Sequence, residues 1–187
     1  MRIIGGYLKG KKILTPTDKL TRPLKDMVRE SIFNIIQHSK NELVNLKSST
    51  ILDLFSGSGS FGMECISRGA KKVIFFENYP NSVKVLKKNL NLLKLNSYSK
   101  IIEKDAYSIS QSQLNIKKFD LIFLDPPFKD NNINQLIKKI KKMELTSKKS
   151  IVIIHRNKKN IEHISKDLII SKEKNYGLSK IIFGKIY

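Results

Sequence analysis

The chain of 187 residues reads as an α/β protein built on a doubly wound, mostly parallel sheet. Three observations point there. From residue 50 onward, short β-branched and aromatic runs alternate with segments of helical periodicity, the pattern of βαβ units. The first of these runs passes directly into a glycine-rich turn, "SGSGSFG" (56–62), that opens a helix. The last two runs lie too close together for a crossover, so the sheet ends in an antiparallel hairpin.

The elements follow in order. Arg2–Ile4 and Lys11–Leu14 are short β-like pieces with Gly5, Gly6 and Gly10 between them, which suits a hairpin. Residues 21–40 carry Val28, Ile32, Ile35 and Ile36 at helical spacing, with Pro23 near the start. "TILDLF" (50–55) is the first sheet strand, and the helix after the glycine turn runs to about Arg68. "KKVIFFE" (71–77) is a strand, and residues 80–95 form a helix with Val83, Leu86, Leu90 and Leu93 on one face. "KIIEKD" (100–105) and "FDLIFLD" (119–125) are strands, and 132–143 is a helix. "SIVIIHR" (150–156) is a strand, a short helix is expected near 158–166, and 168–187 forms two strands joined through "YG". This makes a seven-stranded sheet. With no repeat and no Pro- or Gly-rich linker, the organisation expected is a basic N-terminal hairpin extension (1–24) on one Rossmann-like domain (25–187).

Composition narrows the classes. Lys and Arg number 36 against 16 Asp and Glu, a formal charge of +20. Such an excess attracts a polyanion, with nucleic acid the leading partner. The plainer explanation is a lysine-rich composition spread over solvated helix faces, "KKIKKM" (138–143) among them. No run of eighteen apolar residues exists, and the N-terminus lacks the h-region of a secretory signal. The single cysteine, Cys65, excludes an internal disulfide, and no cluster has metal spacing. A cytoplasmic monomer without metal or membrane attachment is expected. Cys65 reads as a buried thiol, and His155 as a strand-end residue on the ligand side of the sheet.

Gly57, Gly59 and Gly62 match G-x-G-x-x-G, and Glu77 ends the next strand twenty residues after Gly57. That is the spacing at which an acid meets ribose hydroxyls. Asp53 lies inside an apolar strand, where a carboxylate is costly unless it is paired or faces a ligand. A cofactor with a cationic group and no phosphate answers to Asp53, Glu77 and a third acid, Asp105, better than a nicotinamide dinucleotide does. S-adenosylmethionine (SAM) is such a cofactor. Asp105 could meet an adenine amino group, or simply cap a helix.

"DPPF" (125–128) closes the fourth strand. Asp125 offers a carboxylate, and the Pro126 carbonyl a second acceptor. Pro127 restricts Pro126 to an extended conformation, and Phe128 offers a ring for a base to stack on. Two rigid acceptors suit an exocyclic amine, whose lone pair must be turned out of ring conjugation toward a methyl donor. The base must be unpaired or flipped to enter.

This corner resembles the [DN]-P-P-[FYW] signature of amino-group methyltransferases. Together with "RIIGG", "RP…VRESIFN", "LDLFSGSGSFGMECISRGA" and the terminal "YG", the chain resembles the RsmD-type family from Arg2 to about Phe183. These are bacterial guanine-N2 methyltransferases of small-subunit (16S) ribosomal RNA with the class I SAM-dependent fold. The resemblance implies that Asp53, Ser56, Gly57 and Gly59 line the methionine and ribose side of SAM. Glu77 would bind the ribose, Asn78 would lie beside the adenine, and Asp105 and Ala106 would meet its edge. Asp125, Pro126, Pro127 and Phe128 would form the target-base site, and Arg2, Lys9, Lys11, Lys12, Arg22 and Arg29 would contact RNA. Leu24 stands where the family usually has threonine, and Met27 where it has arginine. "KGK" replaces "RGR"-like hairpin tips, which keeps charge and loses the bidentate fork. The corner leaves the base open, so adenine N6 in DNA or RNA is the alternative. A non-catalytic nucleic-acid-binding protein and an NAD-dependent oxidoreductase are the rivals from other classes.

Overall fold

A computed structural model describes residues 1–18, 24–38, 43–160 and 163–187. Helix α1 (Asp26–His38) opens the main body; Arg22 and Pro23, expected at its start, lie outside the described residues. There follow β1 (Thr50–Leu54), α2 (Ser60–Ser67), β2 (Lys72–Phe76), α3 (Pro80–Leu92) and β3 (Ser99–Ile102). A 3-10 turn (Ala106–Ser108), α4 (Gln111–Leu114), β4 (Leu121–Leu124), α5 (Ile133–Lys142) and β5 (Ile151–Asn157) come next. Strands β6 (Ile169–Tyr176) and β7 (Ser179–Lys185) close the chain.

The seven strands lie in the order β3-β2-β1-β4-β5-β7-β6. The first five are parallel, while β7 is antiparallel to both β5 and β6. Side chains alternate across the pleat and so build two cores. Ile51, Val73, Phe75, Phe123 and Ile153 pack toward α1, α2 and α3. Leu52, Leu54, Ile74, Phe76 and Ile122 pack on the other face, toward α5. Asp53 shares the first face, opposite Phe75 in β2 and Phe123 in β4.

The N-terminal hairpin is narrower than its sequence suggests. One antiparallel bridge, Arg2 to Lys12, replaces two strands, supported by Ile3 N–H to Lys11 O and Ile13 N–H to Met1 O, both 2.9 Å. Ile3 and Ile13 enter the same core as α1 and α2, so the extension is built into the sheet domain's packing. Every residue of α2 is buried, and its Glu64 accepts the backbone N–H groups of Ile4 (2.8 Å) and Gly5 (2.7 Å).

The helix expected near 158–166 is not formed by the described residues of that stretch. The chain instead turns after β5, with Asn160 N–H donating to Asn157 O at 3.0 Å and Lys158 N–H to Leu178 O at 2.8 Å. This turn carries the Asn160 side chain back to the carbonyl of Phe128, 2.9 Å away.

Candidate active site

The strand order reverses between β1 and β4, and the carboxyl ends of open α/β sheets bind ligands at such a switch point. A cavity of about 480 Å³ opens there, of the size that holds a small-molecule cofactor. Its walls come from Leu24 and Lys25 ahead of α1, the turn after β1 with the start of α2, the end of β2 and the residues after it, β4 and the corner after it, and His155 of β5 and Ser179 of β7.

One half of the cavity is acidic and backbone-rich. Asp53 is 1% exposed and accepts Gly62 N–H at 3.0 Å. Gly62 is required for that approach, because a Cβ there would lie 2.3 Å from the Phe75 ring. Burial pushes the Asp53 carboxyl well above the usual carboxylate range, and the nearby charges of Asp125 and Glu77 push it further. Glu77 folds over the glycine turn: one oxygen accepts Gly57 N–H at 2.6 Å, the other those of Asn78 (3.0 Å) and Tyr79 (2.8 Å). Gly57 has φ +56° and open space where a Cβ would be, so bare backbone faces the cavity. The Ser56 hydroxyl donates to Asp53 O at 2.6 Å and shapes the turn from inside it. Among the described residues, no cation sits within ion-pair distance of Asp53 or Glu77.

The other half is the Asp-Pro-Pro-Phe corner. Asp125, Pro126, Pro127 and Phe128 all line the cavity. The loop is held from β5 and beyond. Arg156, 1% exposed, donates to the carbonyls of Pro127 (3.3 Å) and Asp130, and Asn160 holds that of Phe128. The Asp125 carboxylate meets His155 Nδ1 at 2.7 Å, and His155 Nε2 meets Ser179 Oγ at 2.8 Å. The Phe128 ring stands edge-on to the His155 ring, with centroids 5.4 Å apart. Phe61 and Phe123, stacked at 3.8 Å, line the wall between the two halves.

The geometry can be set beside known proteins. A family described as "Conserved hypothetical protein 95" matches residues 1–185. The chain is 32% identical over 179 residues to ribosomal RNA small subunit methyltransferase D of Haemophilus influenzae, covering 95% of this chain and 90% of that protein. It is 31% identical over 173 residues to the protein of the same name from Buchnera aphidicola, covering 92% and 86%. The chain belongs to this family, the RsmD-type methyltransferases. A solved Haemophilus influenzae structure described as a "putative methylase" superposes over 100% of this chain and 99% of its own, with TM-score 0.75 and 30% identity.

As an RsmD-type methyltransferase the chain has the class I fold and uses SAM as methyl donor. The residues present fit that cofactor. A buried carboxylate without a cation partner, a second acid on the glycine turn and an open backbone at Gly57 suit a cationic, phosphate-free ligand. SAM supplies an activated methyl group there; Asp53, Gly57 and Glu77 would hold it, with Asn78 beside them.

The cavity thus gathers Asp53, Ser56, Gly57, Glu77 and Asn78 with all four residues of the corner. Three expected cofactor residues stand outside its wall. Gly59 starts α2 and packs toward Leu86. Asp105 is exposed and caps the 3-10 turn, accepting Tyr107 N–H at 2.9 Å, and Ala106 is buried in the second core. The capping role open in the sequence is the one its side chain has.

The expected RNA contacts divide as well. Arg2, Lys9, Lys11 and Lys12 are exposed on the N-terminal turn, next to Tyr7, which is 64% exposed. Arg29 is a correction: its side chain is fully buried, donating to Arg2 O and facing Asp26 (3.1 Å) and Glu64 (3.8 Å). It joins α1, α2 and the N-terminal segment, and offers no surface to RNA. Arg22 lies outside the described residues. His155 and Ser179 are the site residues whose roles sequence reasoning did not find. Among the described residues, no group of His, Cys, Asp or Glu is placed to hold a metal ion, and no helix is long and apolar enough to cross a membrane.

Proposed function

We propose that this chain transfers one methyl group to the exocyclic N2 of a guanine in small-subunit (16S) ribosomal RNA. The observation that carries the reading is the Asp125 carboxylate, fixed at the cavity end beside the Phe128 ring and across from the acidic cofactor half. Rigid placement of reacting groups supplies much of the acceleration in such direct transfers.

Asp125 and the Pro126 carbonyl would accept the two amine N–H groups and aim the nitrogen lone pair toward the methyl donor. Phe128 would hold the base by stacking, worth about 1–3 kcal/mol. Asp125 need not be a strong base, because the methylated nitrogen is acidic enough to give its proton to the carboxylate or to water. The names of the relatives from Haemophilus and Buchnera support ribosomal RNA as substrate. So does the exposed N-terminal turn with Arg2, Lys9, Lys11, Lys12 and Tyr7, since cations neutralise phosphates and an aromatic ring can stack a base. A monomer suffices for this chemistry, as all the residues used come from one chain.

The test is methyl transfer from labelled SAM to unmodified small ribosomal subunits, followed by digestion and mass spectrometry of nucleosides. Label in N2-methylguanosine is expected. Label in N6-methyladenosine would keep the chemistry and move the base to adenine. No label on subunits, naked ribosomal RNA or DNA would overturn the reading in favour of a binding protein.

A further inference from the structure

The contacts of Asp125 reach beyond the corner. Leu124 of β4 pairs with Ile154 of β5, so Asp125, just past the end of β4, comes beside His155, which is still within β5. His155 is 6% exposed, with Nδ1 2.7 Å from Asp125 Oδ1 and Nε2 2.8 Å from Ser179 Oγ on β7. An ionised carboxylate only accepts hydrogen bonds, so Nδ1 must carry the ring proton. In a neutral imidazole Nε2 is then a bare lone pair, and the Ser179 hydroxyl must donate to it.

We propose that His155 and Ser179 are positioning residues for Asp125, fixing which carboxylate oxygen meets the substrate amine; this rests on the methyl-transfer reading above. Donation runs from Ser179 Oγ–H to Nε2 and from Nδ1–H to Oδ1. Oδ1 is thereby occupied and the carboxylate plane is locked, which leaves Oδ2 to the base. Asp125, which can only accept, selects the Nδ1–H tautomer, and Ser179 completes it by donating to Nε2. The same ring meets Phe128 edge-on, so one histidine orients both the acceptor and the stacking platform. No proton leaves through the imidazole, since Nδ1 already holds one. The proton released by the methylated amine goes to Oδ2 and then to water.

Nitrogen-15 NMR of the full chain, labelled at the imidazole nitrogens and held above the usual histidine titration range, reads the tautomer directly. The chain has 3 histidines, and the signal lost in His155→Phe assigns the one in question. A protonated Nδ1 with a bare Nε2 is expected, and a protonated Nε2 overturns the proposal. In single-turnover assays His155→Phe should be slowed roughly ten- to a hundredfold, the scale of a misplaced reacting group. SAM affinity and the RNA concentration dependence should stay unchanged. His155→Asn, which keeps an N–H near the Nδ1 position, should recover most of the rate. Ser179→Ala, which removes the donor to Nε2, should lose part of the rate while Nδ1 keeps its proton on Asp125. With thermal melts confirming folded protein, an unimpaired His155→Phe, or an Asn variant no better than Phe, overturns the positioning role. Wild-type protein that methylates no RNA would instead sink the reading of the site itself.

Discussion

The Asn89 side chain bonds both backbone groups of Leu14: Oδ1 accepts the Leu14 N–H and Nδ2 donates to the Leu14 carbonyl, each at 2.9 Å. The same Nδ2 reaches Ser58 O at 3.0 Å, inside the glycine turn. A buried amide on α3 therefore ties the N-terminal segment to the loop that shapes the cofactor half of the cavity.

Asn89→Leu should test that tie. It leaves buried backbone groups of Leu14 and Ser58 without partners, at about 1–3 kcal/mol for each group that water cannot reach. Urea unfolding should show the loss. Isothermal titration should show weaker SAM binding, because the turn is no longer braced. Wild-type values for both would mean the bond is incidental.

Glu64→Gln should loosen the N-terminus. The carboxylate is fully buried and serves Arg68 (2.9 Å), Arg29 and the N–H groups of Ile4 and Gly5. An amide turns one acceptor into a donor facing donors and leaves buried guanidinium charge uncompensated, which costs about 3–5 kcal/mol. Limited proteolysis should cut the first residues sooner than in wild type, and an unchanged digestion pattern would refute the joint.

Asp125→Ala should separate binding from transfer. Its carboxylate stands at the corner, while Asp53, Gly57 and Glu77, proposed to hold the cofactor, line another part of the cavity. SAM affinity should be kept, and single-turnover methyl transfer should fall by about a hundredfold or more. Lost SAM affinity with activity intact would reverse the assigned roles.

With Asp53 in its proposed place against SAM, cofactor binding should depend on pH. Burial, then Asp125 and Glu77, raise its folded pKa well above the ordinary 3.8, while Gly62 N–H partly opposes this. Between the unfolded and folded values the folded chain holds more protons, so this group's contribution to stability falls as pH rises through that window. A cationic ligand favours the ionised form. SAM should therefore bind more tightly as pH rises there, releasing protons that calorimetry in two buffers of different ionisation enthalpy will count. Asp53→Asn should abolish that release; if it persists, another group carries the linkage.

Local patterns were the legible part of this protein. The corner, the glycine turn and Glu77 each occupy a strand end, where a few neighbouring residues fix the geometry. Most of the sheet was readable because its inner strands are short apolar runs broken by turns, whereas the edge strand β6 is polar and exposed. The partnership of Asp125 with His155 depends on β4–β5 register, 30 positions apart, which no local window contains. Arg29 was misread as a surface cation. Its spacing with Ile32, Phe33 and Ile36 puts it on the buried stripe of α1, a signal that charge alone obscured. Helix α4 is a single turn, too short for periodicity, although Ser110 and Gln113 form a capping box.

The acidic cavity sits in a chain whose net charge is +20. Asp53, Glu77 and Asp125 face inward while Arg2, Lys9, Lys11 and Lys12 face solvent. On the proposed reading, two opposite fields would divide one polyanionic strand between them. The exposed lysines and arginine would hold its phosphates outside, and the acidic lining of the cavity would disfavour a phosphate there. The part of a nucleotide left to enter would be an uncharged base swung away from its backbone. Charge would then sort the parts of a nucleotide before any hydrogen bond reads its identity.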